Sequence, residues 1–262
     1  MPILICAVAL FLNDGGLTMG GSPTLLKGHP TVRMESEIVK ISVSNDEVVT
    51  DCTFVFRNSG AACDVRMGFP DRGFGAEDRY EDTSDEDWPK VEARTVFNWF
   101  KSWVNGKPVT CELVKGLKLG ELYRSKMVHF GRNSRVVVRD RYAMSPGGGI
   151  VAGGEAYSKE TGYILHTGAS WKGTIGKSTV IVTFAPGAIK TPVSMQYTSN
   201  RLKSPSYFSK FKNSKQGVLC AGPARPTLSG RTLTFVKRNW RPTPNDDVFV
   251  QWGYRKFLGG DD

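Results

Sequence analysis

Histidine is the side chain best suited to acid–base work or metal binding near neutral pH. The chain holds three, His29, His129 and His166, far apart and without paired spacing. His166 is the one set among other reactive groups. It precedes Thr167-Gly168-Ala169-Ser170-Trp171-Lys172-Gly173, which offers hydroxyls, an ammonium and a flat indole ring. Three enzyme loops come close nearby and fail. Gly168-Ala169-Ser170-Trp171-Lys172 is not a nucleophile elbow, because Lys172 stands where glycine is required. Gly176-Lys177-Ser178 ends like a phosphate loop, but Trp171 replaces the leading glycine. A strand-like alternation then follows, instead of a helix whose amide terminus would face phosphate. Gly147-Gly148-Gly149 follows Pro146 and lacks the strand–loop–helix context of a dinucleotide site. No catalytic residue and no cofactor is assigned.

Binding is the chemistry that remains. His166, Ser170, Trp171 and Lys172 form one candidate ligand-binding group. A second lies in residues 200–216, where Arg201, Lys203, Lys210, Lys212 and Lys215 interleave with Tyr207, Phe208 and Phe211. Tyr207, Lys210, Lys212 and Lys215 are its candidate contacts, with rings to stack on sugars and cations to meet acidic groups. Single-stranded nucleic acid uses the same groups, but an exported chain would not meet it, so no nucleic-acid partner is expected. Residues 77–87 are acidic. Asp82, Asp85, Glu86 and Asp87 could ligate Ca²⁺ through carboxylate oxygens, although the loop lacks the alternating ligands and central glycine of an EF-hand. That site would make the chain a secreted Ca²⁺-dependent carbohydrate-binding protein or hydrolase, the second reading of its function.

Composition narrows the partners. The 262 residues carry 35 Lys and Arg against 25 Asp and Glu, a formal charge of +10. On charge alone nucleic acid, acidic lipid head groups and anionic wall polymers all qualify as partners, and an anionic envelope polymer or another envelope protein is the expected one. Residues 2–12 form an uncharged apolar run, read as the hydrophobic part of a secretory signal. It lacks a leading cation and small residues at a cleavage site. It is too short to span a bilayer, which needs about 20 apolar residues, and no later stretch is long enough. Extracytoplasmic, periplasmic or secreted, is the expected location. With Cys6 removed, Cys52, Cys63, Cys111 and Cys220 remain, and Cys52–Cys63 is the candidate disulfide.

The elements that must position these groups read as strands. From Glu37 to Phe69 apolar and polar residues alternate in three runs. Val39, Ile41 and Val43 share one face. Val48, Cys52, Phe54 and Phe56 share the next, and Cys63, Val65, Met67 and Phe69 the third. Asn45-Asp46 and Asn58-Ser59-Gly60 supply turns, so the runs are expected to pair as an antiparallel meander. Asn105-Gly106 predicts a tight hairpin inside residues 96–114. Residues 126–131 and 135–144 read as a strand pair about Gly131-Arg132-Asn133-Ser134. Residues 146–154 read as a glycine-rich loop. Strands are also expected over 178–184, 232–237 and 248–254, and the six tryptophans mainly fill the core and cover strand edges. The expected fold is all-β, two antiparallel β-sandwich-like domains with little helix. The boundaries are 13–115 and 116–256, with 1–12 signal-like and 257–262 a tail.

Several of these motifs occur together in one bacterial family. Asn13-Asp14-Gly15-Gly16, Met34-Glu35-Ser36-Glu37, Phe54-Val55-Phe56-Arg57-Asn58, Gly68-Phe69-Pro70 and the 167–175 stretch resemble domain of unknown function 4424. The turn Trp240-Arg241-Pro242-Thr243-Pro244 is similar too. Thr174 and the acidic insertion after Phe69 depart from its pattern. The resemblance implies an exported, mainly β protein of the bacterial envelope, and it brings no activity or catalytic residue.

Overall fold

A computed structural model describes residues 19–27, 31–72, 95–115, 122–150, 156–189, 193–199 and 217–256. Eighteen strands occur there. In chain order they are β1 (Met19–Gly21), β2 (Thr24–Lys27), β3 (Val32–Val43), β4 (Val48–Asn58), β5 (Cys63–Arg72), β6 (Phe97–Val104), β7 (Lys107–Val109), β8 (Glu112–Lys115) and β9 (Leu122–Phe130). Then follow β10 (Arg135–Met144), β11 (Gly147–Ile150), β12 (Ala156–Ile164), β13 (Ile175–Phe184), β14 (Ser194–Thr198), β15 (Gly217–Ala221), β16 (Thr227–Ser229), β17 (Thr232–Trp240) and β18 (Val248–Lys256). The strands form two sheets. One runs β14-β15-β18-β12-β1-β5-β9-β8, with β11 beside β12 and β2 beside β5. The other runs β16-β17-β13-β3-β4-β10-β6-β7.

The mainly β fold is as expected, with two refinements. Both sheets are mixed rather than purely antiparallel: β1 runs parallel to β12, β13 to β3, and β14 to β15. Each sheet also draws strands from both sides of residue 115. That expected boundary falls between β8 and β9, which pair with each other in one sheet.

Side-chain alternation sets the core. The burial of β4 alternates strictly from Val48 to Asn58, and Val39, Ile41, Phe54, Phe56, Val65, Met67, Phe69, Val136, Val138, Val180 and Val182 are all buried in one apolar cluster. The sheets touch closely at Gly20, where an added Cβ would lie 2.3 Å from the Tyr142 hydroxyl oxygen. Only a glycine leaves room for Tyr142 between the layers.

The meander is corrected. β3 and β4 pair as expected, but β5 leaves them and joins the other sheet, against β9, β1 and β2. The second expected pair parts in the same way: β9 stays with β5, while β10 lies between β4 and β6. The two crossing turns hold one another. The Asn58 side-chain amide donates to Ala61 O at 2.6 Å and Gly131 O at 3.0 Å, and Asn133 N donates to Gly60 O at 3.1 Å. The buried Asn58 is thus saturated by bonds that only two adjacent crossings provide. The Asn105-Gly106 hairpin forms between β6 and β7, with φ of 49° and 77°, as a two-residue turn of the mirror-image type requires. The glycine-rich stretch is partly strand, because β11 pairs with β12.

The separation of β4 from β5 also removes the candidate disulfide. Cys52 is opposite Val39 and Asp140 in one sheet, and Cys63 is opposite Phe130 in the other. Both are free thiols, as are Cys111 and Cys220.

Candidate functional site

Where β6 and β7 of one sheet face β8 and β9 of the other, the layers part into an open cleft of about 440 Å³. Its wall on one side is the inner row of β6: Phe97, Phe100 and Ser102. Cys111 and Thr110, on the chain passing from β7 to β8, form the rim, and Arg124 of β9 closes the opposite side. Phe97 and Phe100 stack at 5.7 Å and 17°, and Tyr142 lies 4.3 Å from Phe97, so the aromatic wall is backed by core rings.

Two ion pairs stand at and behind the polar side, where Arg124 and Ser102 line the cleft and Asp71, Lys126 and Asp140 are buried behind them. Asp71, fully buried on β5, accepts from Arg124 Nε at 2.9 Å, from the Thr95 hydroxyl at 2.6 Å and from Val96 N at 3.0 Å. Arg124 also donates to the Thr95 hydroxyl at 2.9 Å. Deeper in, Lys126 pairs with Asp140 and donates to Ser102 Oγ at 2.8 Å. Lys126 and Asp140 have side chains 1% and 0% exposed. The second carboxylate oxygen of Asp140 has no hydrogen-bond partner among the described residues. An acceptor buried without a partner costs about 1–3 kcal/mol.

The thiol of Cys111 shows what the cleft can do. Removal from water, the largest effect, pushes its pKa above the ordinary thiol value. The group is a neutral thiol at physiological pH, and the thiolate is the nucleophilic form. Aromatic wall, paired charges and neutral thiol together suit binding rather than covalent chemistry.

A second polar cluster sits at the centre of the sandwich. Glu37 on β3 is fully buried among apolar side chains. Ser22 donates to its Oε2 at 2.7 Å, and its Oε1 has no partner among the described residues. Burial raises its pKa to about 7, partly offset by the Ser22 hydrogen bond and the nearby Ser178 hydroxyl.

The sequence-derived group at 166–172 is well ordered by internal bonds. A short 3₁₀ turn spans His166–Ser170. Asp247 accepts from Leu165 N at 2.7 Å, from His166 N at 3.0 Å and from His166 Nδ1 at 2.8 Å, stapling the turn to the start of β18. The Ser170 hydroxyl donates to Thr167 O at 2.8 Å and accepts from Leu25 N at 2.9 Å. Trp171 is 2% exposed, donates to Pro23 O at 2.7 Å and packs 4.5 Å from Phe56. Its ring anchors the turn in the core and is closed to a ligand. Lys172 is exposed, and its amide donates to Val32 O. Tyr207, Lys210, Lys212 and Lys215 lie outside the described residues, as do Asp82, Asp85, Glu86 and Asp87. Among the described residues no group of three or more His, Cys, Asp or Glu is placed to hold a metal ion.

Alternation could have found the cleft. Asp140 stands in phase with Val138 and Tyr142, Lys126 with Val128 and Phe130, and Asp71 with Phe69. A charged residue in the apolar row of a strand must be paired or hydrogen-bonded when buried, and these three mark the site.

No protein-family model matches the sequence, and no curated protein matches it. Solved structures match by shape. A "putative nutrient binding protein" from Legionella pneumophila aligns over 92% of this chain and 73% of its own, with TM-score 0.60 and 19% identity. An M1 zinc metallopeptidase from Deinococcus radiodurans aligns over 86% of this chain and 43% of its own, with TM-score 0.38 and 11% identity. Leukotriene A4 hydrolase from Saccharomyces cerevisiae aligns over 87% and 30%, with TM-score 0.41 and 7% identity. The first shares the fold. The scores of the other two are too low to carry an argument.

Proposed function

We propose that this chain is an exported, non-catalytic binding module of the bacterial envelope, and that the cleft between β6 and β9 holds its ligand. The observation that carries the reading is a 440 Å³ concavity with an aromatic wall and with Ser102 and Arg124 as polar groups, each fixed by a buried charge packed behind it. Ligand sites are typically concave, largely apolar and set with a few fixed polar groups. The cleft lies on strands, so the scaffold presents it in a fixed shape. The fold shared with the Legionella protein is in keeping with a binding role. Export is supported by the apolar run at residues 2–12 and by the resemblance to the envelope family, of which we propose the chain is a member.

The ligand that suits these walls is small and flat, with polar groups that meet Ser102 and Arg124. Because each charge at and behind the polar side already has a partner, a strongly charged molecule gains little there. The test uses thermal unfolding against a panel of small neutral heterocycles and amides. A ligand at a hundred times its Kd adds about 2.7 kcal/mol to stability. Filling the exposed rim with Thr110→Trp should abolish that gain without lowering the melting temperature of the free protein. If every stabilising compound works equally well on the filled variant, the ligand site is elsewhere.

A further inference from the structure

The outer face of the β16–β7 sheet is strongly cationic. Nine Lys and Arg side chains project from it, against two carboxylates, Glu35 and Asp51. That surplus of seven compares with +10 for the whole chain. Around Asp51 stand Lys40 of β3 and Arg139 and Arg141 of β10, with Lys101 of β6 opposite Arg141. Arg33, Arg57 and Arg135 gather near Glu35, and Lys177 and Arg238 stand side by side on β13 and β17. The cations therefore occupy six neighbouring strands. At about 4.8 Å between strands, they spread over roughly 24 Å across the sheet as well as along it.

Apolar groups stand among them. Ile38, Val137 and Val236 are 44%, 40% and 42% exposed on this face. Trp99 and Trp103 lie flat under cations: Lys101 and Arg141 sit 5.8 and 5.6 Å from the Trp99 ring, and Arg139 sits 5.3 Å from the Trp103 ring. Cation-capped rings are poorly placed to stack on a base or a sugar. A linear polyanion, moreover, is served by a line or groove of charge, and this charge is spread in two dimensions. Aliphatic side chains, indole rings and basic residues on one broad surface are the combination that seats at the headgroup level of a bilayer.

We infer that this face docks on an anionic lipid bilayer, cations toward the headgroups and Ile38, Val137 and Val236 toward the acyl boundary. Charge complementarity supplies the attraction, and no membrane-spanning segment is needed. The inference does not depend on the cleft, which opens between the sheets, so either can fail alone.

Vesicle co-sedimentation tests it with the full chain. Vesicles of equal parts phosphatidylglycerol and phosphatidylcholine are compared with pure phosphatidylcholine. Wild type should bind the anionic vesicles and be released by salt. Each basic residue near an anionic leaflet is worth about 1 kcal/mol, or about fivefold, so Lys40→Gln/Lys101→Gln/Arg141→Gln should bind roughly a hundredfold more weakly. The matched pair Arg66→Gln/Lys115→Gln, on the other sheet, should bind as wild type does. Val137→Asp gives an independent test of the apolar contact and should also weaken binding. Equal binding of neutral vesicles, or an unaffected triple variant, overturns the inference. So does displacement from vesicles by low concentrations of dextran sulfate or single-stranded DNA, which would make a polymer the occupant.

Discussion

Glu37 gives the sandwich a stability that depends on pH near neutrality. Its carboxyl is fully buried, and burial raises its pKa from 4.5 to about 7. In the unfolded chain it titrates near 4.5. Between those values the folded protein holds a proton that the unfolded chain has released, so stability falls as pH rises through this window. Below pH 4.5 the contribution is complete, and above 7 the loss is complete. Each pKa unit is worth about 1.36 kcal/mol, so this shift corresponds to about 3 kcal/mol between the two ends. Asp51 does not blur the window. Arg139 lowers its pKa from 3.8, so its own contribution disappears only in more acid solution. Glu37→Gln keeps the shape and can still accept the bond from Ser22, while removing the titration. At pH 8 the variant should be more stable than wild type by up to about 3 kcal/mol, on the order of 5–10 °C in Tm for a chain of this size. At pH 4.5 the two should converge. Urea unfolding at half-unit pH steps from 4 to 8.5, each in about 0.15 M salt to damp surface charge, reads the effect directly. Parallel pH profiles for wild type and variant would refute the assignment of the slope to Glu37.

Two further predictions concern buried charge and buried thiols. Lys126→Met alone strands Asp140 in the core and should cost about 3–5 kcal/mol, whereas Lys126→Met/Asp140→Leu should recover most of that loss in urea unfolding. Burial pushes Cys220 up to about 12 and Cys52 well above the thiol range, so both should resist alkylation at pH 8 until urea unfolds the chain, as read by peptide mass spectrometry. Intact mass should not change on reduction, since the four described thiols are free. A mass gain of two hydrogens confined to peptides of Cys52 and Cys63 would contradict the placement of β4 and β5 in different sheets.

The strands and their buried faces were legible because alternation is a local property. Val39, Phe54, Val65 and Val182 each declared their side from their neighbours alone. Which sheet a strand joins is not local. Asn58-Ser59-Gly60 has the composition of a hairpin turn, yet it carries the chain across the sandwich, because Asn58 bonds to Gly131 of a turn some seventy residues later. No window around Asn58 contains that partner. The same limit hid the cleft. Lys126 and Asp140 are each visible as charges in an apolar row, but their meeting depends on β9 and β10 lying in opposite sheets. Trp171 failed as a binding residue for a related reason. An indole in a polar, glycine-rich stretch reads as exposed, and only the packed Phe56 and the carbonyl of Pro23 show that it points inward.

The placement of buried charge separates stability from function. A core Lys–Asp pair seldom stabilises more than an apolar pair of similar volume, so folding alone does not account for Lys126 and Asp140. Elsewhere the inner rows of β4, β10 and β13 are mostly Val, Phe and Tyr, with uncharged polar residues such as Thr50, Asn58 and Ser178. The two ion pairs lie beside the cleft, which Arg124 of β9 lines, with Lys126 two residues further on and buried behind Ser102. If they served only to hold β9 against its neighbours, the apolar double variant would lose nothing. If they fix the polar side of a binding site, that variant would fold normally and no longer be stabilised by any ligand that Thr110→Trp excludes. The two ideas part on a single comparison of ligand-induced melting shifts, made on a protein whose own stability has not changed.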